Sequence, residues 1–373
     1  MPRLHILCEY PTVLGGERSM LATLPAVAAA GFEVMIAAPA SGTLARTLCE
    51  RGLTHVAWQT HDDGGTRLPL PQLRSDLSTI VRQTRPDLVH ANSLSVARIA
   101  GPVAVENGIR SIGHLRDIIK LTGQAIDDLN QHQQLIAVSA ATRNFLVGQG
   151  LDAQKCLVLH NGVDLHEFHP RPPSGYLHGE LGLPERAKLI AVVGQLGLRK
   201  GTDVALSAAQ RIAGHAPDVH WLVVGERTSN KAESRDFEAR LHTVAAQPPL
   251  AGRVHFLGRR TDVAQLLCEC TLMVHAARQE PLGRVLLESA ACGSAIIATN
   301  VGGTPEIFPA DSQAAILVPP NDPGAIAKAA LQLFGDEQRR MALGAAARIR
   351  AETAFDIRDA AQRLITLYHN VLA

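Results

Sequence analysis

The chain has 373 residues, more than one hydrophobic core usually serves, so two domains of ordinary size are expected. Hydrophobic residues at 46%, charged residues at 19% and aromatic residues at 3% describe a globular chain built on small and aliphatic side chains, and exclude intrinsic disorder. A formal net charge of +1, with no block of like charge, leaves the chain as a whole without the electrostatic footprint of a nucleic-acid binder.

Met1-Pro2-Arg3-Leu4-His5-Ile6-Leu7 runs straight into a strand pattern, without the long apolar stretch and small-residue cleavage site of a secretory signal, which points to a cytoplasmic protein. Apolar runs predict strands at 4–8, 33–38, 55–58, 87–90, 111–114, 135–138 and 155–159, and amphipathic stretches predict helices at 19–30, 73–85 and 140–149 between them. The most apolar stretch, 24–40, changes period at Gly31 and Glu33 and reads as helix then strand, not as a membrane span. Pro170-Arg-Pro172-Pro173-Ser-Gly175 interrupts both periodicities and marks a linker. Strands resume at 189–193, 220–224, 254–257, 272–275 and 295–299, and after Pro323 the pattern is helical, closing on 356–372. This alternation predicts an α/β fold of two Rossmann-like, doubly wound domains, 1–165 and 188–355, joined by a linker at 166–187 and followed by a C-terminal helix at 356–373. Two such domains facing each other place a ligand cleft beyond the carboxyl ends of their strands.

Motifs at strand ends therefore carry most weight. Gly15-Gly16 follows the first strand and opens a helix, where a ligand can approach the backbone and an anion can meet unpaired N–H groups; the full dinucleotide fingerprint is absent, and a plain strand-to-helix turn explains two glycines equally well. Gly194-Gln195-Leu196-Gly197-Leu198-Arg199-Lys200-Gly201 stands in the same place in the second half. Its two cations suit a diphosphate, although a solvated basic turn would look the same and the spacing is not that of a Walker A loop. Glu280-Pro-Leu282-Gly283-Arg284-Val-Leu-Leu-Glu288-Ser-Ala-Ala-Cys-Gly293 reads as loop, helix and glycine stop, with Glu280 at the helix entrance and Glu288 some two turns along. Carboxylates so placed can hold sugar and ribose hydroxyls, and the N–H groups near Leu282, Gly283 and Arg284 can meet phosphates, whereas two glutamates on a helix with nothing else around them usually face solvent. Downstream lies the glycine-rich turn Gly302-Gly303-Thr304-Pro305-Glu306.

Nothing in the sequence asks for a metal. Sixteen histidines include no H-E-x-x-H or comparable pairing, Cys268-Glu-Cys270 lacks zinc-knuckle spacing, and Asp62-Asp63 and Asp127-Asp128 read as turn and helix residues. The six cysteines are expected to be buried free thiols, and His160 and His275, at strand ends, suit either the cleft or the core.

Taken in order, the Gly15-Gly16 loop, Pro86-Asp-Leu-Val-His90-Ala-Asn92, Val138-Ser139, Asn161-Gly-Val-Asp164 with Phe168, the Arg199-Lys200-Gly201 loop, Glu280 to Glu288 and Gly302 to Glu306 span nearly the whole chain. In this the sequence resembles the retaining glycosyltransferases of the GT-B fold, in particular family 4 (glycosyl transferases group 1), which shares an E-x7-E element. The resemblance implies a nucleotide-sugar donor, UDP- or GDP-linked, as substrate with no further cofactor, and a sugar, polysaccharide or lipid-linked acceptor bound by the first domain. By the same resemblance Glu280 binds hydroxyls of the donor sugar, Glu288 the ribose, Arg199 and Lys200 the diphosphate, and the Gly15-Gly16 loop the phosphates and transferred sugar. His114, in Gly113-His-Leu-Arg-Asp117, corresponds to the family's histidine near the anomeric centre, with a core histidine as the alternative.

The implied chemistry is transfer with retention, without a metal, in which the departing phosphate oxygen helps take the acceptor's proton. The family usually has Arg where Gln195 stands, so either Arg199 supplies that cation or donor binding is weaker. The C-terminal helix is expected to pack toward the first domain, and the modestly basic stretch 74–85 is the candidate for peripheral contact at the inner membrane face. Two other readings stay open: a catalytically silent partner on the same fold, and a nucleotide-sugar epimerase or a phosphorylase on the same architecture. Donor base contacts are expected near Gly225 and 256–259, and the acceptor loops at 61–65 and 120–124 follow no pattern that names an acceptor.

Overall fold

The computed structural model describes residues 1–62 and 64–373; Asp63, read above with Asp62 as part of a turn, lies outside the described residues. The chain divides into two compact units, Met1–Gly162 with Ile357–Ala373, and Val163–Asp356.

The first unit is built on a seven-stranded parallel sheet of β1 (Arg3–Leu7), β2 (Glu33–Ala38), β3 (Thr54–Ala57), β4 (Leu88–Ala91), β5 (Arg110–Leu115), β6 (Gln134–Ala137) and β7 (Cys156–Val158), in the order β3-β2-β1-β4-β5-β6-β7. The order reverses between β1 and β4, where Ile6 lies beside Ile36 on one side and His90 on the other. Strands of such a sheet are covered on both faces, which is why β4 is buried at every position, its one polar side chain, His90, included. Along β1, Leu4 and Ile6 join the core on one face and Leu7 the core on the other, the period of two that a strand imposes. Helix starts follow their cap residues: Ser93 Oγ accepts from Val96 N at 3.3 Å and Ser139 Oγ from Thr142 N at 3.0 Å. The C-terminal helix Ile357–Leu372 belongs to this unit, burying Leu364, Ile365, Leu367 and Tyr368 in the same core as Leu4 and Ile6. Burial of each such side chain contributes on the order of 1.5–3 kcal/mol.

The second unit repeats the plan with β8 (Lys188–Val193), β9 (Val219–Val224), β10 (Val254–Gly258), β11 (Leu272–His275), β12 (Ile296–Thr299) and β13 (Ile316–Val318), all parallel, in the order β10-β9-β8-β11-β12-β13. The sequence reading has no counterpart to β13, because three residues between Gln313, with φ at 49°, and two prolines are too few to show a period. The segment 166–187 carries the short helix Tyr176–Leu181, bracketed by Gly175 and Gly182 with left-handed φ, and lies in this unit.

Cys8, Cys156 and Cys292 are buried free thiols, but Cys268 and Cys270 are half-buried and Cys49 is exposed on the helix Thr43–Glu50, which corrects the expectation that all six are buried. Asp128 sits in the helix Gly123–Asn130, buried and ion-paired with Arg74 at 2.7 Å. That pair takes one cation out of the helix Leu70–Thr84, and Arg82 of the same helix hydrogen-bonds Asn107 at 2.9 Å. Among the described residues no helix is long and apolar enough to cross a membrane.

Candidate active site

Three loops meet at the carboxyl edge of the second sheet, and glycines set how closely. The loop after β8 ends in the tight turn Leu198–Lys200 and then Gly201, whose φ is 66° and where an added Cβ would lie 1.9 Å from the carbonyl oxygen of Ala276. Gly302, in the loop after β12, has φ at 53° and leaves no more room: its Cβ would fall 1.9 Å from the carbonyl oxygen of Glu280. Left-handed backbone and missing side chain are both needed at these two positions. Backbone hydrogen bonds then close the contacts, Arg278 N to Arg199 O at 2.8 Å and Gly303 N to Glu280 O at 3.0 Å.

This packing brings Lys200 to Glu280. Glu280 is 5% exposed, and its Oε2 accepts from Lys200 Nζ at 2.5 Å and from His275 Nε2 at 2.9 Å. Burial by itself would raise the carboxyl pKa, but the charge of Lys200 and the hydrogen bonds from His275 and Lys200 outweigh it and hold the group well below the usual carboxylate range. Among the described residues Oε1 of Glu280 makes no hydrogen bond. Glu280 stands in the loop that enters the helix Arg284–Ala291, and Gly283, with φ at 106°, is the cap residue just before that helix. Glu288 is 6% exposed, and its Oε1 accepts from Nε and Nη2 of Arg284 at 3.1 and 2.6 Å. Neither glutamate faces solvent; a buried carboxylate needs such a partner to stay charged. Leu282 is buried beneath the turn.

Of the two cations expected to serve a diphosphate, Lys200 is therefore already engaged with Glu280. The guanidinium of Arg199 has no hydrogen-bond or ionic partner among the described residues. Arg278, which the sequence reading missed, clamps the Arg199 loop: it donates to Asp203 at 2.8 and 2.7 Å, to Leu198 O at 2.7 Å and to Asn321 at 2.7 Å. No spacing rule points to it, since its partners are distant in sequence. Among the described residues no three His, Cys, Asp or Glu side chains group closely enough to hold a metal ion.

In the first unit the helix Gly15–Ala29 begins at Gly15 itself, with Leu14 N donating to Glu17 Oε2 at 3.1 Å. A Cβ on Gly16 would come 3.2 Å from Cδ of Arg116, so this glycine makes room for an arginine. Arg116 donates to Asn92 O, Asn92 Oδ1 and Asn161 Oδ1, all at 2.9 Å, and to His114 Nδ1 at 3.1 Å. His114, 3% exposed at the end of β5, also faces His90 Nε2 at 3.3 Å, and His90 Nδ1 meets the Tyr368 hydroxyl at 2.6 Å. Burial first, and then the Arg116 charge, lowers His90 to about 3 and His114 well below the usual histidine value. These side chains line a cavity of about 20 Å³, room for about one water, together with His160. Arg116 directly follows β5, two residues from His114 and inside the Gly113-His-Leu-Arg-Asp117 stretch already singled out, so it was within reach of sequence reasoning.

Two family models match the chain, one described as Glycosyl transferases group 1 over residues 177–350 and one as Glycosyltransferase Family 4 over residues 13–167. The chain belongs to this glycosyltransferase family. The spore coat protein SA of Bacillus subtilis is 28% identical to this glycosyltransferase over 65% of this chain and 69% of its own length. The lipopolysaccharide core biosynthesis mannosyltransferase LpsB of Rhizobium meliloti is 27% identical over 64% and 66%. The chain thus spans about two thirds of the length of these curated relatives. Among solved structures, Anabaena HepE in complex with UDP-glucose aligns over 99% of both chains with a TM-score of 0.87 at 21% identity. Such a likeness shows the fold, which is GT-B.

Proposed function

We propose that this glycosyltransferase moves a sugar from a nucleoside-diphosphate sugar to an acceptor hydroxyl, with retention at the anomeric carbon and without a metal ion. The observation that carries the reading is Glu280, a buried carboxylate kept ionised by Lys200 and His275 with Oε1 left over for a sugar hydroxyl. Glu288, oriented by Arg284, takes the ribose, and Arg199, with no partner of its own among the described residues, takes the diphosphate together with Lys200 and the amides at Leu282 to Arg284. In the first unit His114 meets a substrate oxygen, and the start of the helix at Gly15-Gly16 serves the phosphates.

In the reaction the bond from the anomeric carbon to the diphosphate oxygen breaks, the acceptor oxygen bonds to the same face, and the acceptor proton passes to the departing phosphate oxygen. Cations and helix-end amides placed beforehand stabilise the charge that grows on that oxygen. The UDP-glucose complex of HepE supports a UDP-linked donor, with a GDP-linked one as the second choice, and the name of LpsB supports an envelope saccharide as acceptor.

A thermal-shift and hydrolysis screen against UDP-, GDP-, ADP- and dTDP-sugars, with EDTA present, tests this. We expect one nucleotide family to stabilise the protein and be slowly hydrolysed, and Glu288→Ala to lose both effects; no response to any donor sinks the proposal.

A further inference from the structure

We propose that Tyr368, His90 and Arg116 are positioning residues that lock His114 as a neutral imidazole with its proton on Nε2, so that the ring offers substrate a hydrogen-bond donor and not a base. Only what that donor meets rests on the transferase reading above.

Each contact admits one assignment. A guanidinium has donors and no acceptor, so His114 Nδ1, 3.1 Å from Arg116 Nη2, carries a lone pair. The same lone pair faces His90 Nε2 at 3.3 Å, so that nitrogen carries the proton of His90. His90 Nδ1 is then an acceptor, and the Tyr368 hydroxyl, 2.6 Å away, donates to it. The neutral proton of His114 falls to Nε2, which is buried and has no partner among the described residues. A proton on Nδ1 would set two N–H groups head to head, and a second proton on the ring would set two cations together out of water. Burial and the Arg116 charge also push both histidines toward the neutral form, with a smaller electrostatic push on His90 from His132.

The relay starts at the C-terminal helix. Tyr368 is held there by an edge contact to Phe32, ring centroids 5.5 Å apart, and the helix end by Arg110 Nη1 donating to Val371 O at 2.7 Å. A side chain near the end of the chain thus sets the protonation of a strand-end histidine in the same unit. An unpartnered buried donor is costly, and a substrate hydroxyl or ether oxygen would satisfy it.

The test uses the full chain labelled with ¹⁵N-histidine at pH 7 without substrate, His114 and His90 being assigned by the signals lost in His114→Gln and His90→Gln. We expect both rings neutral with the proton on Nε2, and the Nδ1 signal of His90 to move in Tyr368→Phe. Turnover in Tyr368→Phe and His90→Leu should fall about fivefold to tenfold with the donor KM within about twofold. His90→Gln, whose amide N–H can replace the Nε2 donor, should recover most of it. A His114 that is charged at pH 7, or protonated on Nδ1, overturns the proposal, as does Tyr368→Phe with unchanged ring signals and turnover. The expected ring signals in a protein that transfers no sugar would count against the transferase reading alone.

Discussion

At Glu280 one carboxylate oxygen receives two hydrogen bonds, from Lys200 and His275, and the other receives none among the described residues. Glu280→Gln keeps the size but turns an acceptor-only group into one with an N–H₂, so either a donor is opposed or the free position changes character. We expect turnover to fall about 10²- to 10³-fold, the scale of losing one preorganised charge contact, as read by nucleotide release from the preferred donor. Arg199→Ala removes a cation with no structural task, so it should raise the donor KM about tenfold and leave the unfolding midpoint unchanged. A fall in the midpoint with an unchanged KM would reassign Arg199 to the fold. The depressed pKa of Glu280 stabilises the folded state at and above the ordinary carboxylate value near 4.5, and that contribution fades as pH drops through the lower folded value. Glu280, Glu288 and Lys200 were legible in the sequence because they stand in a spaced motif. His275 was legible only as a strand-end residue and Arg278 not at all, because their importance lies in partners that distant loops supply.

Among elements, the loops after β8, β11 and β12 behave as one unit because glycine lets their backbones touch. Gly201→Ala puts a Cβ at 1.9 Å from the carbonyl of Ala276 and a side chain at φ 66°, and Gly302→Ala does the same against Glu280. We expect each to cost about 2–4 kcal/mol in urea unfolding and to weaken donor binding, whereas Gly197→Ala, with nothing within 4 Å of its Cβ, should cost less than about 1 kcal/mol. Equal costs at the three positions would show that the close approach is not what fixes the loops. Most strands were legible, with ends shifted by one or two residues, since a buried parallel strand is a short apolar run between breakers. β13 escaped because three residues carry no period.

The whole molecule places its buried neutral histidines unevenly. In the first unit burial lowers His132 to about 4 and His90 to about 3, and His114 falls well below the usual value; the unfolded chain takes up protons at these positions near pH 6.5. Stability of that unit is therefore greatest above pH 6.5 and declines as pH falls toward 4, by about 1.4 kcal/mol per pH unit for each histidine. Each unit has one buried tryptophan, Trp58 in the first and Trp221 in the second, so Trp221→Phe and Trp58→Phe give separate fluorescence reporters. We expect the Trp58 signal to be lost at higher pH than that of Trp221; the opposite order would mean that the histidines are not what limits the first unit.

Composition and the alternation of strand and helix determined two parallel sheets, and the order of motifs at strand ends determined the family, because both are written in local steric and hydrophobic preferences. The tertiary structure alone decided which charges neutralise one another and where protons sit. Lys200 and Glu280 stand 80 residues apart and His90 and Tyr368 stand 278 apart, and no local periodicity encodes a partner that only loop closure and burial bring within hydrogen-bond distance.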